Sequence, residues 1–469
     1  MTDRPYVFYE LTNSLCPQCL HKVEAKIIVQ DGQVYQIKNC LTHGVQKVLI
    51  STDADYYKKA RAFLKPGQLP LRFNTATERG CPYDCGLCPD HEQHSCLTLI
   101  EITDRCNLEC PVCYADSAPT RGSHRSLEQI EFMMDELVKN EGEPDVVQIS
   151  GGEPTIHPQF FEVLDLAKSK PIRHLMVNTN GVRIARDREF AQRLADYGPG
   201  FEIYLQFDSL KPGPIETLRG ENLLEVRMQA LAHLNEFNIS TTLVVVLRQG
   251  LNDQEIGEIL EFAIQQPCVR GVTFQPIQHA GRTENFDPAT DRLTLAEVRQ
   301  QILKQSSLFT PDDIIPVPCH PDCIAMAYAL KADGQAYPLS RYMDPALLLD
   351  AAGNTIRYEE DPSVRGKVFG LFALNHSPQS TSHAVHDLLC CLPKIEAPEA
   401  LGYQNIFRVI IMEFLDAWNF DVRSVKRSCI HIVHPDGRVI PFDTYNLFYR
   451  NEQLASRIPT TSAFAMEKV

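Results

Sequence analysis

Three cysteines lie close together in residues 97–114, LTLIEITDRCNLECPVCY, directly after a short apolar segment. Cys106, Cys110 and Cys113 are spaced CxxxCxxC, so one loop can bring their thiolates to the same metal centre. Soft sulfur ligands suit iron–sulfur clusters and zinc. In a 4Fe-4S cluster, three thiolates would leave one iron without a protein ligand and free to bind a substrate or cosubstrate. The alternative is a three-cysteine zinc site whose fourth ligand is distant in the sequence.

Residues 150–154 read SGGEP and follow a second apolar strand further along the chain. The paired glycines Gly151 and Gly152 let the backbone approach a ligand closely. The carboxylate of Glu153 can accept hydrogen bonds from an ammonium group. The pattern therefore predicts a turn at the end of a strand that binds a ligand.

The two motifs, in this order and each after a strand, resemble those of the radical S-adenosylmethionine (SAM) superfamily. The resemblance implies that the three cysteines hold a 4Fe-4S cluster whose open iron binds the amino and carboxylate groups of SAM. It also implies that Gly151, Gly152 and Glu153 bind the methionine amino group. Reductive cleavage of SAM in this family gives a 5′-deoxyadenosyl radical that takes hydrogen from unactivated carbon, so an enzyme is expected. An electron donor such as ferredoxin or flavodoxin is then an expected partner.

The N-terminal segment carries two further pairs of metal ligands. Cys16 and Cys19 form a CxxC pair, and Cys40 and His43 form a CxxH pair beyond an extended segment. The Asp-Gly pair at 31–32, between two apolar runs, predicts a hairpin. Such ligands fit a closed tetrahedral site for one metal ion, either zinc or a rubredoxin-like iron. The alternative is that His43 is only a turn residue and the site takes another ligand.

A second CxxxCxxC motif precedes the first and is followed by a fourth cysteine. Because it has no strand before it and has four thiols, we assign it to a closed auxiliary 4Fe-4S cluster. His91 and His94, between these ligands, are predicted to face solvent. The predicted cluster ligands are Cys81, Cys85, Cys88 and Cys96.

The remaining cysteines lie mostly in tight turns of the C-terminal part and suggest one further auxiliary cluster. The alternative is that they are unrelated core residues. Cys268 is isolated and is predicted to be a buried apolar residue. The predicted ligands are Cys319, Cys323, Cys429 and one of Cys390 or Cys391, between which the sequence does not choose.

Residues 97–310 alternate short apolar strands with amphipathic helices. Ser126 and Gln129 predict a capping box for a helix over 127–140. The alternation predicts an α/β fold with a parallel sheet, and six repeats fit the partial (β/α)6 TIM-type barrel of the radical SAM superfamily. Both motifs would then lie at the carboxyl ends of strands, where barrel chemistry gathers. The predicted strands lie near 97–103, 146–150, 174–178, 201–207, 240–247 and 272–275.

The fourth predicted strand is polar on one face, which carries Tyr204, Gln206 and Asp208. Buried parallel strands are normally apolar on both faces, so this pattern indicates a barrel interior that holds a polar ligand. Asn180, Gln206 and Asp208 are the preferred candidates for a SAM and substrate pocket. Further candidates are Gln148, Ser150, Asn178, Thr242, Thr273 and Gln275.

These motifs divide the chain into four expected parts. An N-terminal domain for one metal ion covers 1–73, and an auxiliary-cluster loop covers 74–96. The radical SAM partial barrel covers 97–310. A C-terminal α+β domain with an auxiliary cluster covers 311–469.

The composition narrows the expected partners and location. The 469 residues carry a formal net charge of −15 and no Lys/Arg-rich block, so nucleic acid is not an expected partner. No apolar run of about 18 residues and no signal peptide is visible, which favours a cytoplasmic protein without membrane insertion. The 16 cysteines indicate metal or redox chemistry more than disulfides.

The complete set of motifs resembles one group within the superfamily, the archaeal tetraether lipid synthases and the class D methylases that act on a pterin precursor. The N-terminal CPxC and CxxHG, the extra cysteine cluster and the C-terminal SCIH and DGRVIPFDTYNLFYR carry this resemblance. It implies one SAM-binding and two auxiliary 4Fe-4S clusters, and a rubredoxin-like iron as in the lipid synthase. Proteins that this sequence resembles have a cysteine at the position of Asp443. Because this chain has aspartate there, the position is not counted as a ligand.

Two activities occur in that group, and the sequence leaves both open. One is carbon–carbon coupling of lipids. The other is methylation of a pterin-like small molecule, with a one-carbon unit from methylene-tetrahydrofolate or its archaeal analogue. The acidic composition and the lack of a basic amphipathic helix favour the small molecule.

Two functions of other kinds fit the sequence less well. An iron–sulfur electron carrier without a substrate would gain nothing from an open three-cysteine site. A peptide-modifying radical enzyme would need a winged helix where the metal ribbon is predicted.

Overall fold

The computed structural model describes residues 4–332, 334–341 and 405–450. The N-terminal part is an antiparallel sheet of four strands that pair in chain order. The predicted hairpin joins the second strand to the third, where Asp31 and Gly32 have φ angles of 52° and 75° that suit a two-residue turn. The strands are β1 (Val7–Leu15), β2 (Lys22–Gln30), β3 (Gln33–Cys40) and β4 (Gly44–Ser51).

The central part is built on parallel strands that alternate with helices. The chain continues with β5 (Leu97–Thr103), β6 (Val112–Cys113), β7 (Val146–Gly151), β8 (His174–Thr179), β9 (Phe201–Gln206), β10 (Thr241–Leu247), β11 (Val269–Pro276) and β12 (Arg282–Thr283). In the sheet, β5, β7, β8, β9, β10 and β11 are successive parallel neighbours. These are the six strands that the sequence predicts, and the partial barrel is confirmed.

The helices cover this sheet and bury one face each. The capping box is present, because Ser126 Oγ accepts from Gln129 N at 3.3 Å and Gln129 Oε1 accepts from Ser126 N at 3.0 Å. No helix in the described ranges is long and apolar enough to cross a bilayer. The helices are α1 (Ala54–Ala62), α2 (Leu127–Glu141), α3 (Phe160–Ser169), α4 (Val182–Arg186), α5 (Arg188–Ala195), α6 (Pro212–Arg219), α7 (Leu224–Glu236), α8 (Ile256–Gln265) and α9 (Leu295–Gln305).

The C-terminal part adds strands to both edges of the central sheet. Its elements are β13 (Ile315–Pro316), β14 (Ile324–Ala332), β15 (Gln335–Pro338), β16 (Ile406–Met412), α10 (Val422–Val425), β17 (Ile430–Val433), β18 (Val439–Pro441) and α11 (Phe442–Thr444). Strand β16 pairs in parallel with β11, and β17 pairs in parallel with β5. An open six-stranded sheet leaves unpaired backbone groups on two edge strands, and these additions satisfy them. The expected C-terminal domain therefore shares one sheet with the barrel.

Short helical turns complete the described structure. Three are 3-10 turns and one is a π-helical turn. They are Pro154–Ile156, Asp253–Glu255, Leu339–Arg341 and Tyr445–Tyr449.

Candidate active site and metal centres

The SGGEP turn is bound directly to the end of β5. Gly152 N donates to Thr103 O at 2.8 Å, and Glu153 N donates to Arg105 O at 2.9 Å. A Cβ atom on Gly152 would lie 2.1 Å from Arg105 O, and one on Gly151 would lie 2.2 Å from Thr103 O. Real Cβ atoms do not approach oxygen so closely. Glycine is therefore required here so that two strand ends can meet, next to the segment that leads to the cysteine loop.

The three cysteines of the loop line one cavity, whose empty space, together with the open solvent at its mouth, is about 1210 Å³. Cys106 Sγ accepts from Leu108 N at 3.4 Å and lies 3.9 Å from the amide nitrogen of Asn180. Burial raises the pKa of Cys106 to about 12 and also raises the pKa of Cys110. Among the described residues that line this cavity there is no fourth cysteine. Two buried soft donors, the half-buried Cys113 and an adjacent space fit a cluster with one open iron.

The cavity brings together most of the residues that the sequence predicts for SAM binding. Asp208 is the exception, because it does not line the cavity. The predicted residues in the lining are Cys106, Cys110, Cys113, Gly151, Gly152, Glu153, Asn180 and Gln206.

The carboxylate of Glu153 is completely buried and is oriented by several donors. One oxygen accepts from Thr155 N at 3.1 Å and from Thr179 Oγ1 at 2.7 Å. The other accepts from Asn180 N at 2.7 Å. Burial raises the pKa of Glu153, and these hydrogen bonds oppose that effect. A carboxylate held in this way can receive the ammonium group of a ligand.

Asp208 acts on the cavity through Arg219, which does line it. The guanidinium donates to both carboxylate oxygens, at 2.6 and 2.7 Å, and to Gln206 Oε1 at 3.1 Å. Sequence reasoning missed Arg219. The available signal was a basic residue in the last turn of a helix, directly before Gly220.

A second arginine in the cavity wall, Arg227 of α7, was also missed. Its signal was a charged residue within the apolar stripe of an amphipathic helix. Leu223, Ala230 and Leu231 are its buried neighbours on that stripe.

The cavity wall contains six amide side chains beside apolar and aromatic groups. Gln206 Nε2 donates to Asn178 Oδ1 at 2.9 Å, and Gln275 Nε2 donates to the Tyr204 hydroxyl at 3.1 Å. The Gln148 side-chain nitrogen is buried in the cavity wall and has no hydrogen-bond partner among the described residues.

Several other polar candidates have different positions. Ser150, Thr242 and Thr273 do not line the cavity, and Thr242 donates to buried Glu202 instead. The C-terminal part contributes wall residues that the sequence did not predict. These are Met412, Phe414, Ile430 and Phe442.

The ribbon holds its four predicted ligands together. The ligand atoms of all four residues, Cys16, Cys19, Cys40 and His43, lie within 4.8 Å of one another. His43 Nδ1 lies 3.4 Å from Cys16 Sγ and 3.5 Å from Cys40 Sγ, and Cys19 Sγ lies 3.8 Å from Cys40 Sγ. This set fits a closed tetrahedral site with three sulfur ligands and one nitrogen ligand.

Cys96 lies with the C-terminal cysteines and not in a four-thiol set with the cysteines that precede it. Its Sγ and those of Cys319 and Cys429 all lie within 4.8 Å of one another, and Cys319 Sγ is 3.5 Å from Cys429 Sγ. The reason is the pairing of β17 with β5, which places Cys429 beside the residue before Leu97. The spacing of cysteines along the chain does not reveal this pairing of distant strands. The expected set of Cys81, Cys85, Cys88 and Cys96 is therefore corrected: Cys96 belongs with Cys319 and Cys429.

Cys323 is outside the three-thiol group, and its Sγ contacts Ser424 Oγ at 3.4 Å. Cys390 and Cys391 lie outside the described residues. Of the remaining cysteines of the auxiliary motif, Cys85 and Cys88 are buried and Cys81 is half-buried. Cys85 Sγ accepts from Thr444 Oγ1 at 3.0 Å, and burial raises the pKa of Cys81 to about 11.

The sequence predicts that the two histidines between these cysteines face solvent, and the structure does not place them there. His91 is buried, and its Nε2 lies 3.0 Å from Ser428 O. His94 contacts Glu141 at 3.1 Å and Cys96 Sγ at 3.6 Å. The long-range pairing of β17 with β5 covers His91, whose ring also lies 3.1 Å from His431 Nε2. Cys268 is buried as predicted.

Comparisons with known proteins find two matching families, related sequences and a solved structure. Residues 100–263 match the radical SAM superfamily, and residues 8–52 match the HMPTM N-terminal zinc ribbon domain. The 7,8-dihydro-6-hydroxymethylpterin dimethyltransferase of Methanocaldococcus jannaschii is 32% identical over 479 residues, covering 94% of each chain. The GTP 3′,8-cyclase of Shewanella denitrificans is 27% identical over 224 residues, covering 47% of this chain and 64% of that protein. The solved structure of SuiB from Streptococcus suis with SAM has 17% identity, covers 45% of this chain and 47% of SuiB, and gives a TM-score of 0.38.

The parallel partial barrel, the three-cysteine loop and the glycine–glycine–glutamate turn define one class of protein. Because the pterin dimethyltransferase aligns over nearly the whole length, the chain belongs to the radical SAM superfamily and is an enzyme of that family. The family implies a 4Fe-4S cluster and SAM. The two cysteine groups outside the cavity indicate additional metal sites.

Proposed function

We propose that the protein is a radical SAM methylase that transfers one-carbon units to a reduced pterin. The observation that carries this proposal is the alignment with a 7,8-dihydro-6-hydroxymethylpterin dimethyltransferase over 94% of both chains. The match of the N-terminal ribbon to the HMPTM zinc ribbon domain supports the same substrate class.

The cavity wall suits a flat, polar heterocycle. Pterins present ring nitrogens, a carbonyl oxygen and an amino group at the ring edge, and amide side chains can pair with each kind of group. Gln148 offers a buried N–H without a partner in the described structure. Tyr204 and Phe442 supply aromatic surface against which a ring can pack.

The residues of the site have separate expected tasks. Cys106, Cys110 and Cys113 hold the 4Fe-4S cluster, which when bound supplies the electron that cleaves SAM to a 5′-deoxyadenosyl radical. Glu153 receives the SAM ammonium group, and Asn180 holds the Glu153 carboxylate in place. The apolar residues of the C-terminal part exclude water from the cavity. A ferredoxin- or flavodoxin-type protein delivers the electron.

The metal sites outside the cavity have expected ligands as well. Cys16, Cys19, Cys40 and His43 bind one zinc or iron ion. Cys96, Cys319 and Cys429 contribute to an auxiliary 4Fe-4S cluster, and Cys81, Cys85 and Cys88 contribute to a second one.

Tetraether-type lipid coupling is the second candidate, because the same cavity has an apolar side. Leu97 and Leu99 face it from β5, and Met412, Phe414 and Ile430 face it from the C-terminal part. An alkyl chain would pack against these residues. The buried side-chain N–H of Gln148 would then remain without a partner among the described residues, which favours the pterin.

The test is an anaerobic reaction of reconstituted protein with SAM, a low-potential reductant, a methylene-tetrahydrofolate-type donor and either 7,8-dihydro-6-hydroxymethylpterin or an archaeal lipid. Mass spectrometry is expected to find 5′-deoxyadenosine and a pterin that carries one or two added methyl groups. Glu153→Gln is expected to weaken SAM binding and to reduce both products together. Coupled lipid without methylated pterin would contradict the proposal and support the second candidate.

A further inference from the structure

Arg227 is a cation on the buried face of α7. Its side chain is fully buried, and its neighbours on that face are apolar. Burial lowers the pKa of Arg227 to about 10, and the negative charge of Asp208 opposes the shift. This value is far above neutral pH, so the guanidinium remains positively charged inside the protein.

The guanidinium has no hydrogen-bond partner among the described residues. All three side-chain nitrogens, Nε, Nη1 and Nη2, are buried and unpaired. The two carboxylates that interact electrostatically with Arg227 have other donors. Asp208 receives both of its close guanidinium contacts from Arg219, and Glu153 accepts from Thr179 and Asn180. An unpaired buried charge costs several kcal/mol, so a bound group is expected to compensate for it.

The position of Arg227 indicates which group that is. Arg227 lines the same cavity as Cys106, Cys110 and Cys113. The side chains of Arg227 and Cys110 are also close enough to interact electrostatically. The guanidinium of Arg219 donates to Asp208 and Gln206. Arg227 is therefore the cavity arginine whose donors are free of protein partners in the described structure.

We propose that Arg227 is a positioning residue for the SAM-binding cluster, which it supplies with a positive charge and N–H donors that stabilise the reduced state. This inference rests on the assignment of the cluster to the three cavity cysteines under the proposed function. A cluster held by thiolates becomes more negative by one charge when it accepts an electron. A fixed cation stabilises the more negative state more strongly, and hydrogen bonds to cluster sulfurs act in the same direction. Arg227 therefore raises the reduction potential and eases entry of the electron.

The carboxylate of SAM is the other anion that could pair with this guanidinium. The two cases differ when SAM is absent. A residue that acts on the cluster changes the reduction potential without SAM, whereas a residue that only pairs with the SAM carboxylate changes SAM affinity and leaves that potential unaltered.

The experiment is a redox titration of the reconstituted holoenzyme without SAM, followed by electron paramagnetic resonance. The signal of the SAM-binding cluster is identified as the one that changes when SAM is then added. Arg227→Met removes the charge and the donors, and Arg227→Lys keeps the charge with fewer donors. Arg299→Met is the matched control. Arg299 lies on α9 and is also buried, but it donates to Pro311 O at 2.6 Å and does not line the cavity.

At the wild-type midpoint, the ratio of reduced to oxidised cluster is expected to fall about tenfold in Arg227→Met, which is 59 mV for a one-electron couple. The ratio is expected to fall less in Arg227→Lys and to equal the wild-type ratio in Arg299→Met. An unchanged midpoint in Arg227→Met, at wild-type iron content, would overturn the proposal whether or not SAM binding weakens.

If Arg227→Met does not retain the cluster, Arg227→Lys and Arg227→Gln decide the question. A lower midpoint in the glutamine variant than in the lysine variant supports the proposal, and equal midpoints overturn it. Failure of the cluster assignment would look different, since the wild type itself would then show no SAM-sensitive signal. Failure of the pterin assignment would leave all of these potentials as expected.

Discussion

The backbone N–H of Leu97 donates to the carbonyl oxygen of Cys429 at 3.0 Å, although the two residues are far apart in the chain. This bond begins the parallel pairing of β5 with β17. It places Cys96 beside Cys429, and Cys319 completes the group of three thiols. One auxiliary metal site therefore depends on the closure of the sheet by its last strands.

Metal content is expected to follow this grouping. Cys96→Ala, Cys429→Ala and the double variant should each lose the same cluster, because both thiols belong to one site. Cys85→Ala should lose a different cluster, and its loss should add to that of Cys96→Ala. Iron analysis and Mössbauer spectroscopy of anaerobically reconstituted protein measure this. Additive iron loss in the Cys96/Cys429 double variant would contradict the grouping.

Cys429→Ala is also expected to separate SAM cleavage from product formation. The three thiols of this site do not line the SAM cavity, so the expected role of their cluster is electron transfer. The variant should still form 5′-deoxyadenosine, slowly and uncoupled, and should not complete the product. Both compounds are measured in the same reaction by mass spectrometry. Full product yield after proven loss of the cluster would show that the cluster is structural.

The triple variant Cys106→Ala, Cys110→Ala and Cys113→Ala is expected to form no 5′-deoxyadenosine from SAM and reductant. The ribbon lies outside the barrel and has its own ligands, so its metal should remain bound. Liquid chromatography and metal analysis of the same preparation check both points. Normal SAM cleavage would move the open cluster to the motif that begins at Cys81.

Gly152→Ala is expected to destabilise the turn that follows β7 and contacts the end of β5. The new Cβ atom would lie 2.1 Å from Arg105 O and 3.0 Å from Cys106 N, so the segment that carries Cys106 must move. Forced overpacking of this kind costs about 1–3 kcal/mol. SAM affinity and thermal stability should both fall.

Gly213→Ala is the matched control for that variant. A Cβ atom on Gly213 meets nothing within 4 Å, and Gly213 lies in helix α6. The free energy of unfolding of Gly213→Ala is expected to equal or slightly exceed that of the wild type. Equal effects of the two substitutions would mean that the close approach at Gly152 is not important.

The buried amine of Lys331 predicts a dependence of stability on alkaline pH. Burial lowers the pKa of Lys331 to about 8 from its usual 10.5, while its Nζ donates to Val269 O at 3.0 Å and Ala263 O at 3.3 Å. Between these two values the unfolded chain keeps a proton that the folded chain has released. Stability from this group therefore rises with pH through this window, by at most about 3 kcal/mol.

Lys331→Met is expected to lack this contribution. Denaturant unfolding at pH values below and above 8 should show a pH-dependent difference between the variant and the wild type. Lys58→Met, at an exposed position on α1, serves as the control and should follow the wild type. The same pH profile in Lys331→Met and the wild type would contradict the prediction.

The sequence by itself determined the class of chemistry and the core of the fold. Cys106, Cys110 and Cys113 lie in one short loop, and the turn with Glu153 follows a strand, so local spacing and strand order were sufficient to predict them. The six parallel strands and the capping box at Ser126 were also predictable, because hydrophobic periodicity and capping are local properties.

Only the tertiary structure decided how distant parts of the chain complete the sites. Cys96 joined Cys429 because two edge strands pair across the length of the protein, and no local pattern records such a pairing. Arg219 and Arg227 entered the cavity because the carboxyl ends of parallel strands and the helices behind them converge there. Whether a charged residue on a helix faces solvent or a buried ligand depends on what packs against that helix, and this is a property of the folded chain.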